Sequence, residues 1–247
     1  MSGDAAWIKP AWPAPANVKA LVTTRKGGVS KGGYRDMNLG LHVGDDPQLV
    51  ETNRQRLAAM LDLPRDSFCW LQQVHGTHVV RAETGAGQTA DACYTRTPER
   101  VCVVMTADCL PVLFCNRVGS QVACAHAGWR GLLDGVLEQT LATFGEDDTV
   151  LAWLGPAIGP DAFEVGGEVR EQFCARDDAA EAAFQSCGSG KYLADLYLLA
   201  RQRLKAVGVN AIYGGGHCTF TESDLFFSYR RQGTESGRMA SLIWLSS

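Results

Sequence analysis

The middle of the sequence restricts the fold most strongly. Three apolar, strand-like runs follow one another at residues 100–106, 110–115 and 121–125, so only short connectors separate them. Parallel strands joined through helices need crossovers of about a dozen residues or more. The sequence therefore predicts antiparallel or mixed sheets here, and it excludes a regular array of alternating strands and helices.

Helices are predicted on either side of this strand-rich centre. Asp46 followed by Pro47 is a helix start signal, and the helix that it begins is predicted to end before Pro64. Other predicted helices cover about residues 132–144, 169–184 and 196–207, and other predicted strands cover 18–24, 68–74, 77–81, 151–154, 211–213, 226–229 and 239–244. Because no repeat or linker interrupts this pattern, we predict an α/β (α+β) protein with one domain over residues 1–247, in which helices cover mixed sheets.

Composition and charge exclude several kinds of partner. The formal net charge is −4, and no run of five or more like charges occurs, so the basic surface typical of proteins that bind nucleic acid or anionic membranes is missing. The first fifteen residues lack the pattern of a signal peptide, and no apolar run is long enough for a membrane span. The nine cysteines lie mainly in apolar segments without CxxC pairs, which indicates buried thiols. We expect a cytoplasmic monomer or homodimer with a small-molecule partner.

Three polar motifs follow or end predicted strands: QQVHGTH, TADCLP and AHAGWRG. They contain His75, Cys109 and His126, and two imidazoles with one thiolate suit Zn²⁺ or copper. The three residues are 34 and 17 positions apart, which matches no compact zinc motif, so a structural role for each stays open. The same residues suit a Cys–His pair in which Cys109 is the nucleophile and His126 the base.

Other polar residues are candidates for proton transfer and anion binding. Asp91 in ADACYT and Asp108 beside the cysteine are candidate general acids or bases, although turn and capping roles fit them equally. Arg130 precedes a predicted helix and is a candidate for an anionic group. Arg25 precedes a glycine-rich loop and is a candidate for phosphate, although the loop lacks the order of a nucleotide-binding P-loop. The SYRR segment at residues 228–231 is predicted to be a strand end with exposed charges.

Taken together, the motifs resemble one known family. They are TTRKGGVS, MNLGLHVGDDP, QQVHG, ADACYT, TADCLPVLF, AHAGWRG, LGPAIGPDAFEVGGEV and FFSYRR with SGRM. The chain resembles the YfiH-type family, long labelled multicopper polyphenol oxidase or laccase domain and now regarded as purine nucleoside phosphorylases, from about Val18 to Leu245. The resemblance implies a four-layer α/β/β/α fold with mixed sheets, similar to that of a deamidating bacterial toxin domain.

The resemblance also implies a site and a reaction. It implies a zinc site at His75, Cys109 and His126, with Cu²⁺ as a substitute that the affinity order of divalent metals permits. It implies phosphorolysis of adenosine, inosine and methylthioadenosine, together with adenosine deamination, so purine nucleoside and phosphate are the expected partners. Asn38, in MNLGLHVGDDP, is predicted to bind substrate together with the two arginines named above.

Three other functions stay open. A multicopper oxidase builds its copper cluster with His-x-His pairs, and the five histidines include none, so we expect oxidase activity at most when copper replaces zinc. A Cys–His amidohydrolase that edits peptidoglycan precursors would use Cys109 to form an acyl intermediate. A binding module without catalysis would leave the Cys and His motifs without a purpose.

Overall fold

The computed structural model describes residues 7–247. The first six residues of the predicted domain, and of the segment inspected for a signal peptide, lie outside the described residues. The strands are β1 (Trp7–Ile8), β2 (Val18–Thr23), β3 (Phe68–Cys69), β4 (Val79–Arg81), β5 (Ala92–Thr95), β6 (Val101–Thr106), β7 (Leu110–Asn116), β8 (Val122–Ala127), β9 (Val150–Leu154), β10 (Glu164–Gly166), β11 (Phe184–Gly188), β12 (Lys191–Ala194), β13 (Ala211–Gly214) and β14 (Met239–Leu245). The helices are α1 (Pro47–Leu61), α2 (Trp129–Asp134), α3 (Val136–Leu141), α4 (Gly167–Cys174), α5 (Leu196–Ala206) and α6 (Tyr229–Gln232).

Two large mixed sheets form the centre of the molecule. One has the strand order β1-β2-β14-β6-β3 and the other the order β13-β9-β7-β8-β5-β4, while β10, β12 and β11 form a small third sheet. β7 and β8 pair antiparallel across a short connector, whereas β13 pairs parallel with β9 and β3 parallel with β6. The mixed sheets predicted from the short connectors are confirmed.

The two large sheets pack face to face. Val22 and Ile243 of the five-stranded sheet belong to the same buried cluster as Leu113, Cys124 and Trp153 of the six-stranded sheet. Burying these side chains away from water stabilises the sandwich, at roughly 25 cal/mol for each Å² of apolar surface removed. β6 and β7 follow each other in the chain but belong to different sheets, so the connector between them crosses from one sheet to the other.

Helices cover the outer faces of both sheets. Leu57 of α1 packs with Leu21 and Leu242 on the five-stranded sheet, and Leu137 of α3 belongs to the cluster that contains Phe114 of the six-stranded sheet. The layers therefore follow the order α/β/β/α within one domain, as the resemblance implied. In residues 7–247 no helix combines the length and the apolar character that a membrane crossing needs.

Local sequence features explain where the predicted helices agree with the structure and where they differ from it. α1 starts at Pro47 because the Asp46 carboxylate accepts a hydrogen bond from the backbone N–H of Gln48, as an N-cap does. The predicted helix over 132–144 is divided into α2 and α3 at Gly135, which has φ 105°. The predicted helix over 169–184 ends at Cys174, and a 3₁₀ segment and strand β11 follow.

The predicted strand over 226–229 is wrong. Phe226 and Phe227 are fully buried, which explains the strand-like pattern, but Ser228 accepts a hydrogen bond from the backbone N–H of Arg231 and caps α6. The hydroxyl offers the backbone a helical start that the aromatic pattern did not reveal. The predicted strand over 68–74 is also shorter, because β3 ends at Cys69 and the chain continues as a loop toward β4.

Candidate active site and metal centre

The crossing between the two sheets brings the three motif residues together. Cys109 lies in the connector between β6 and β7, His126 lies on β8, and His75 lies in the loop after β3. The pairing of β7 with β8 places Pro111 opposite His126, so the connector lies beside this histidine. The candidate ligand atoms of the three side chains lie within 4.8 Å of one another. We call this group the His–Cys–His cluster.

A buried carboxylate shapes the loop that carries His75. Asp91 accepts hydrogen bonds from the backbone N–H groups of Val74, His75 and Gly76 at 3.2, 2.9 and 2.7 Å. His75 has φ 61°, a left-handed conformation that costs energy for a residue other than glycine. The three N–H groups converge on one carboxylate, and their hydrogen bonds offset this cost.

The same carboxylate orients His126. Asp91 Oδ1 lies 2.8 Å from His126 Nδ1, and both side chains are buried. Burial opposes the ionisation of Asp91, but the hydrogen bond and charge of His126 and the backbone N–H groups outweigh it and lower the pKa of Asp91. A proton held on Nδ1 leaves Nε2 of His126 free as a ligand, which is the usual arrangement of a metal-binding histidine.

Cys109 has the character of a thiolate. Its Sγ lies 3.7 Å from His75 Nε2. Burial opposes ionisation, but the charge and hydrogen bonds of His126 and His75 outweigh it and lower the pKa of Cys109 to about 6. In the same way, Cys109 and Asp91 outweigh burial and raise the pKa of His126 to about 9. Without a metal, these directions favour an ion pair of thiolate and imidazolium.

The surroundings of the cluster fit a metal ion. A Cβ atom on Gly128 would lie 2.7 Å from His75 Cδ2 and 3.0 Å from Cys109 Sγ, so only glycine leaves these two side chains in their places. Two imidazoles and one thiolate, with no fourth protein ligand in the group among residues 7–247, match a catalytic zinc site that keeps one position for water or substrate. The same donors also suit copper.

A cavity of about 450 Å³ opens over the cluster. Besides the three cluster residues, its wall is formed by His42, Gln73, Met105, Thr106, Ala107, Asp108, Ile158, Phe163, Tyr229, Arg230 and Arg238. Apolar and aromatic surface thus faces a small number of charged groups, which is typical of a small-molecule site.

Two arginines of this wall were not predicted. The Arg230 Nη2 group donates to the Glu164 carbonyl at 2.9 Å, and the guanidinium carbon lies 5.6 Å from the ring centre of Phe163. Arg238 Nη1 donates to the carbonyls of Ser236 and Gly237. Because SYRR was predicted to be an exposed strand end, Arg230 was not considered as a site residue. Recognising Ser228 as a helix cap would have argued against a strand here.

Asp108 lies on the cavity wall with both carboxylate oxygens engaged. Oδ1 accepts from the Thr219 hydroxyl at 2.7 Å, and Oδ2 accepts from the backbone N–H of Arg230 at 2.6 Å. Its φ of 93° turns the connector sharply just before Cys109. Asp108 therefore joins the connector that carries Cys109 to the segment that carries Arg230.

The other predicted residues lie outside this wall. Asp91 is fully buried behind the cluster. Arg130 is exposed, and its guanidinium carbon lies 4.3 Å from the ring centre of Trp129. Arg25 lines a separate surface depression and donates to the carbonyls of Arg35 and Ser223. Asn38 is fully buried in a network of hydrogen bonds.

Comparison with known proteins identifies the family. The family described as multi-copper polyphenol oxidoreductase laccase matches residues 19–246. The purine nucleoside phosphorylase YfiH of Escherichia coli (strain K12) is 59% identical over 241 residues, which cover 96% of this chain and 98% of the relative. A purine nucleoside phosphorylase of Pseudomonas aeruginosa is 55% identical over 242 residues, covering 97% and 98%. Both relatives are named as enzymes, which supports an enzyme here.

Solved structures agree with this assignment. A crystal structure of a Neisseria meningitidis protein of family DUF152 is 52% identical, with a TM-score of 0.93 over 98% of this chain and 100% of that chain. The crystal structure of YlmD from Geobacillus stearothermophilus is 31% identical, with a TM-score of 0.88 over 100% and 98% of the two chains. The chain belongs to the multi-copper polyphenol oxidoreductase laccase family, in which its relatives include the YfiH proteins.

Proposed function

We propose that the chain is a zinc-dependent purine nucleoside phosphorylase that converts adenosine, inosine or methylthioadenosine and phosphate into the free base and ribose 1-phosphate. Adenosine deamination is the second activity that we propose for the same site. The observation that carries the proposal is the His–Cys–His cluster, which opens into a cavity that also contains Arg230 and Arg238. The names of the relatives support the same reaction.

The residues of the cavity suit the parts of this reaction. His75, Cys109 and His126 would hold the zinc ion, which supplies a Lewis acid for an oxygen of the substrate or of water when it is bound. Arg230 and Arg238 supply two positive charges for phosphate, and arginine suits phosphate because its N–H groups fit two oxygens at once.

Aromatic surface and a carboxyl group complete the site. Phe163 offers apolar surface against which a purine can pack, and Arg230 lies against the same ring. Positive charge develops on the sugar as a glycosidic bond breaks, and phosphate held nearby by the two arginines would stabilise that charge. Asp108 is our candidate for carrying a proton to the departing purine or, in deamination, to the departing ammonia, and its carboxylate would first take that proton from the reacting phosphate or water.

Product analysis tests the proposal. The purified protein, with its metal content measured, is incubated with adenosine in the presence and absence of phosphate. We expect adenine and ribose 1-phosphate only when phosphate is present, and inosine in both samples if the site also deaminates. A zinc-loaded sample that forms neither adenine nor inosine would contradict the proposal. A parallel sample loaded with Cu²⁺ and given a polyphenol tests whether oxidase activity follows from metal exchange.

The geometry also favours a second candidate, the Cys–His amidohydrolase. Asp91, His126 and Cys109 follow the order of orienting acid, base and nucleophile, with the acid 2.8 Å from the base and the thiol partly exposed. This order is typical of enzymes with an activated nucleophile. A stable acyl adduct on Cys109, formed from an acylating substrate analogue, would support this alternative, whereas zinc bound at the cluster would prevent it.

Alkylation of Cys109 should distinguish the free thiolate from a metal ligand. In metal-free protein we expect the iodoacetamide reaction of Cys109 to rise with a midpoint near pH 6, because its pKa is lowered to about 6 and the thiolate is the reactive form above that pH. Zinc should protect Cys109 and leave the exposed Cys187 reactive. Mass spectrometry of the two peptides measures both effects. A midpoint near that of an ordinary thiol, about 8.5, would contradict the expectation.

A further inference from the structure

Residues 38–40, which we call the positioning segment, lie directly against Arg238. Asn38 Oδ1 accepts a hydrogen bond from the backbone N–H of Arg238 at 2.9 Å. The backbone N–H of Leu39 donates to the carbonyl of Arg238 at 3.2 Å. These two bonds flank the Cα atom of Arg238 and determine where its side chain starts.

Gly40 determines the path of the Arg238 side chain. A Cβ atom on Gly40 would lie 2.9 Å from Cγ and 3.3 Å from Cβ of Arg238. The side chain therefore passes over Gly40 at a distance that any other residue would increase. Because the contacts are with the two side-chain atoms nearest the backbone of Arg238, a methyl group here would displace the arginine from its base and shift its backbone slightly.

The positioning segment is itself anchored to α1. Asn53 Nδ2 donates to the carbonyl of Asn38 at 2.9 Å, and Arg54 donates to the carbonyl of Leu39 through Nε at 3.0 Å and Nη2 at 2.8 Å. The side chain of Asn38 also donates to Asp45 at 2.9 Å. Because side chains of α1 bind the carbonyls of both Asn38 and Leu39, the position of the segment is fixed relative to the helix.

The guanidinium of Arg238 keeps hydrogen-bonding capacity for a ligand. Only Nη1 donates to protein carbonyls, and within residues 7–247 its Nε and Nη2 groups have no hydrogen-bond partner. Burial lowers the pKa of Arg238, while the charges of Cys109 and Asp108 act in the opposite direction, so the guanidinium lies within electrostatic range of the His–Cys–His cluster. Arginine keeps its charge in proteins, so this group faces the cavity as a cation.

We propose that residues 38–40 position Arg238 and thereby determine how tightly the cavity binds the phosphate co-substrate. The inference rests on the proposed function in taking phosphate as the ligand. A guanidinium binds an oxyanion well only when its N–H groups are held within about 0.5 Å of the required place. Asn38 is then a positioning residue that acts through Arg238.

The substitution Gly40→Ala tests the proposal. We expect KM for phosphate to rise about tenfold, the effect of one weakened charge-assisted hydrogen bond, while KM for adenosine stays unchanged and the protein still unfolds in one cooperative transition. Gly216→Ala is the matched control, because a Cβ atom there meets nothing within 4 Å. An equal rise in both KM values, or no change in KM for phosphate, would overturn the proposal.

A double-substitution cycle shows whether Gly40 acts through Arg238. In an Arg238→Ala background, Gly40→Ala should have no further effect on phosphate, because the side chain that it displaces is gone. Calorimetric titration of the zinc-loaded protein with inorganic phosphate measures binding without turnover. If the wild type binds phosphate but does not cleave nucleosides, the proposed function fails while the calorimetry still tests the positioning. If it binds no phosphate, or if the two substitutions act independently, the positioning proposal is wrong.

Discussion

His75→Ala is expected to abolish metal binding and to lower kcat/KM for phosphorolysis on the order of a hundredfold or more, since a catalytic metal contributes several kcal/mol. The side chain of His75 is exposed, whereas His126 is buried against Asp91. Removing His75 therefore tests the metal site without opening a cavity in the core. Metal analysis and steady-state kinetics on the same sample measure both effects.

His78→Ala is the matched control for this change. His78 is also exposed and lies in the same loop, but its ring is not part of the cluster, and its backbone carbonyl, which accepts from Asp91 and Ala92, stays in the variant. We expect normal metal content and activity. Full phosphorolysis by a metal-free His75→Ala protein would mean that the metal is not needed for the reaction.

Asp91→Asn is expected to damage both the fold and the metal site. Each carboxylate oxygen accepts two hydrogen bonds. Oδ1 accepts from the His75 backbone N–H and from the His126 ring, and Oδ2 accepts from the backbone N–H groups of Val74 and Gly76. An asparagine amide offers one acceptor oxygen, so at least two donors lose their partner in either orientation. We expect a loss of about 2–4 kcal/mol in the free energy of unfolding and about 10–100-fold weaker metal binding.

The pH dependence and a control variant make this prediction specific. Because folding lowers the pKa of Asp91, its charge stabilises the protein at neutral pH and ceases to do so as the pH falls through that pKa. The difference between wild type and Asp91→Asn, measured by denaturant unfolding of metal-free protein, should therefore shrink in acid. Asp62→Asn, at an exposed position with φ 53° that asparagine tolerates, should leave stability and metal binding unchanged. Equal losses in the two variants would contradict the role of Asp91.

Much of the fold was predictable because its causes are local. The Asp46 cap and Pro47 start α1, and an Asp195 cap starts α5. The short connectors around β7 predicted mixed sheets. The prediction failed where local signals conflict, as at Ser228, where two buried phenylalanines look like a strand and a hydroxyl starts a helix. It also missed the small sheet of β10, β11 and β12, whose strands have few buried residues.

The candidate site was predictable only in part. Sequence motifs indicated His75, Cys109 and His126, and the structure brings their ligand atoms together. Asp91 and Asp108 were considered as proton carriers, and the structure places the first behind the cluster and the second on the cavity wall. Arg238 was overlooked, because a lone arginine in a glycine-containing loop has no local feature that distinguishes it from a surface residue.

The sequence by itself determined the types of ligand, the caps of the helices and the mixed character of the sheets, because each depends on residue type and on neighbours a few positions away. Only the tertiary structure decided which arginine side chains face the cavity over the His–Cys–His cluster and which residues hold them. Arg238 is bound to Asn38, 200 positions away in the chain, and Asp108 to Thr219, 111 positions away. Such contacts form only when strands distant in the chain pair, as β2 and β14 do, and when the chain crosses between the sheets, so no short stretch of sequence records them.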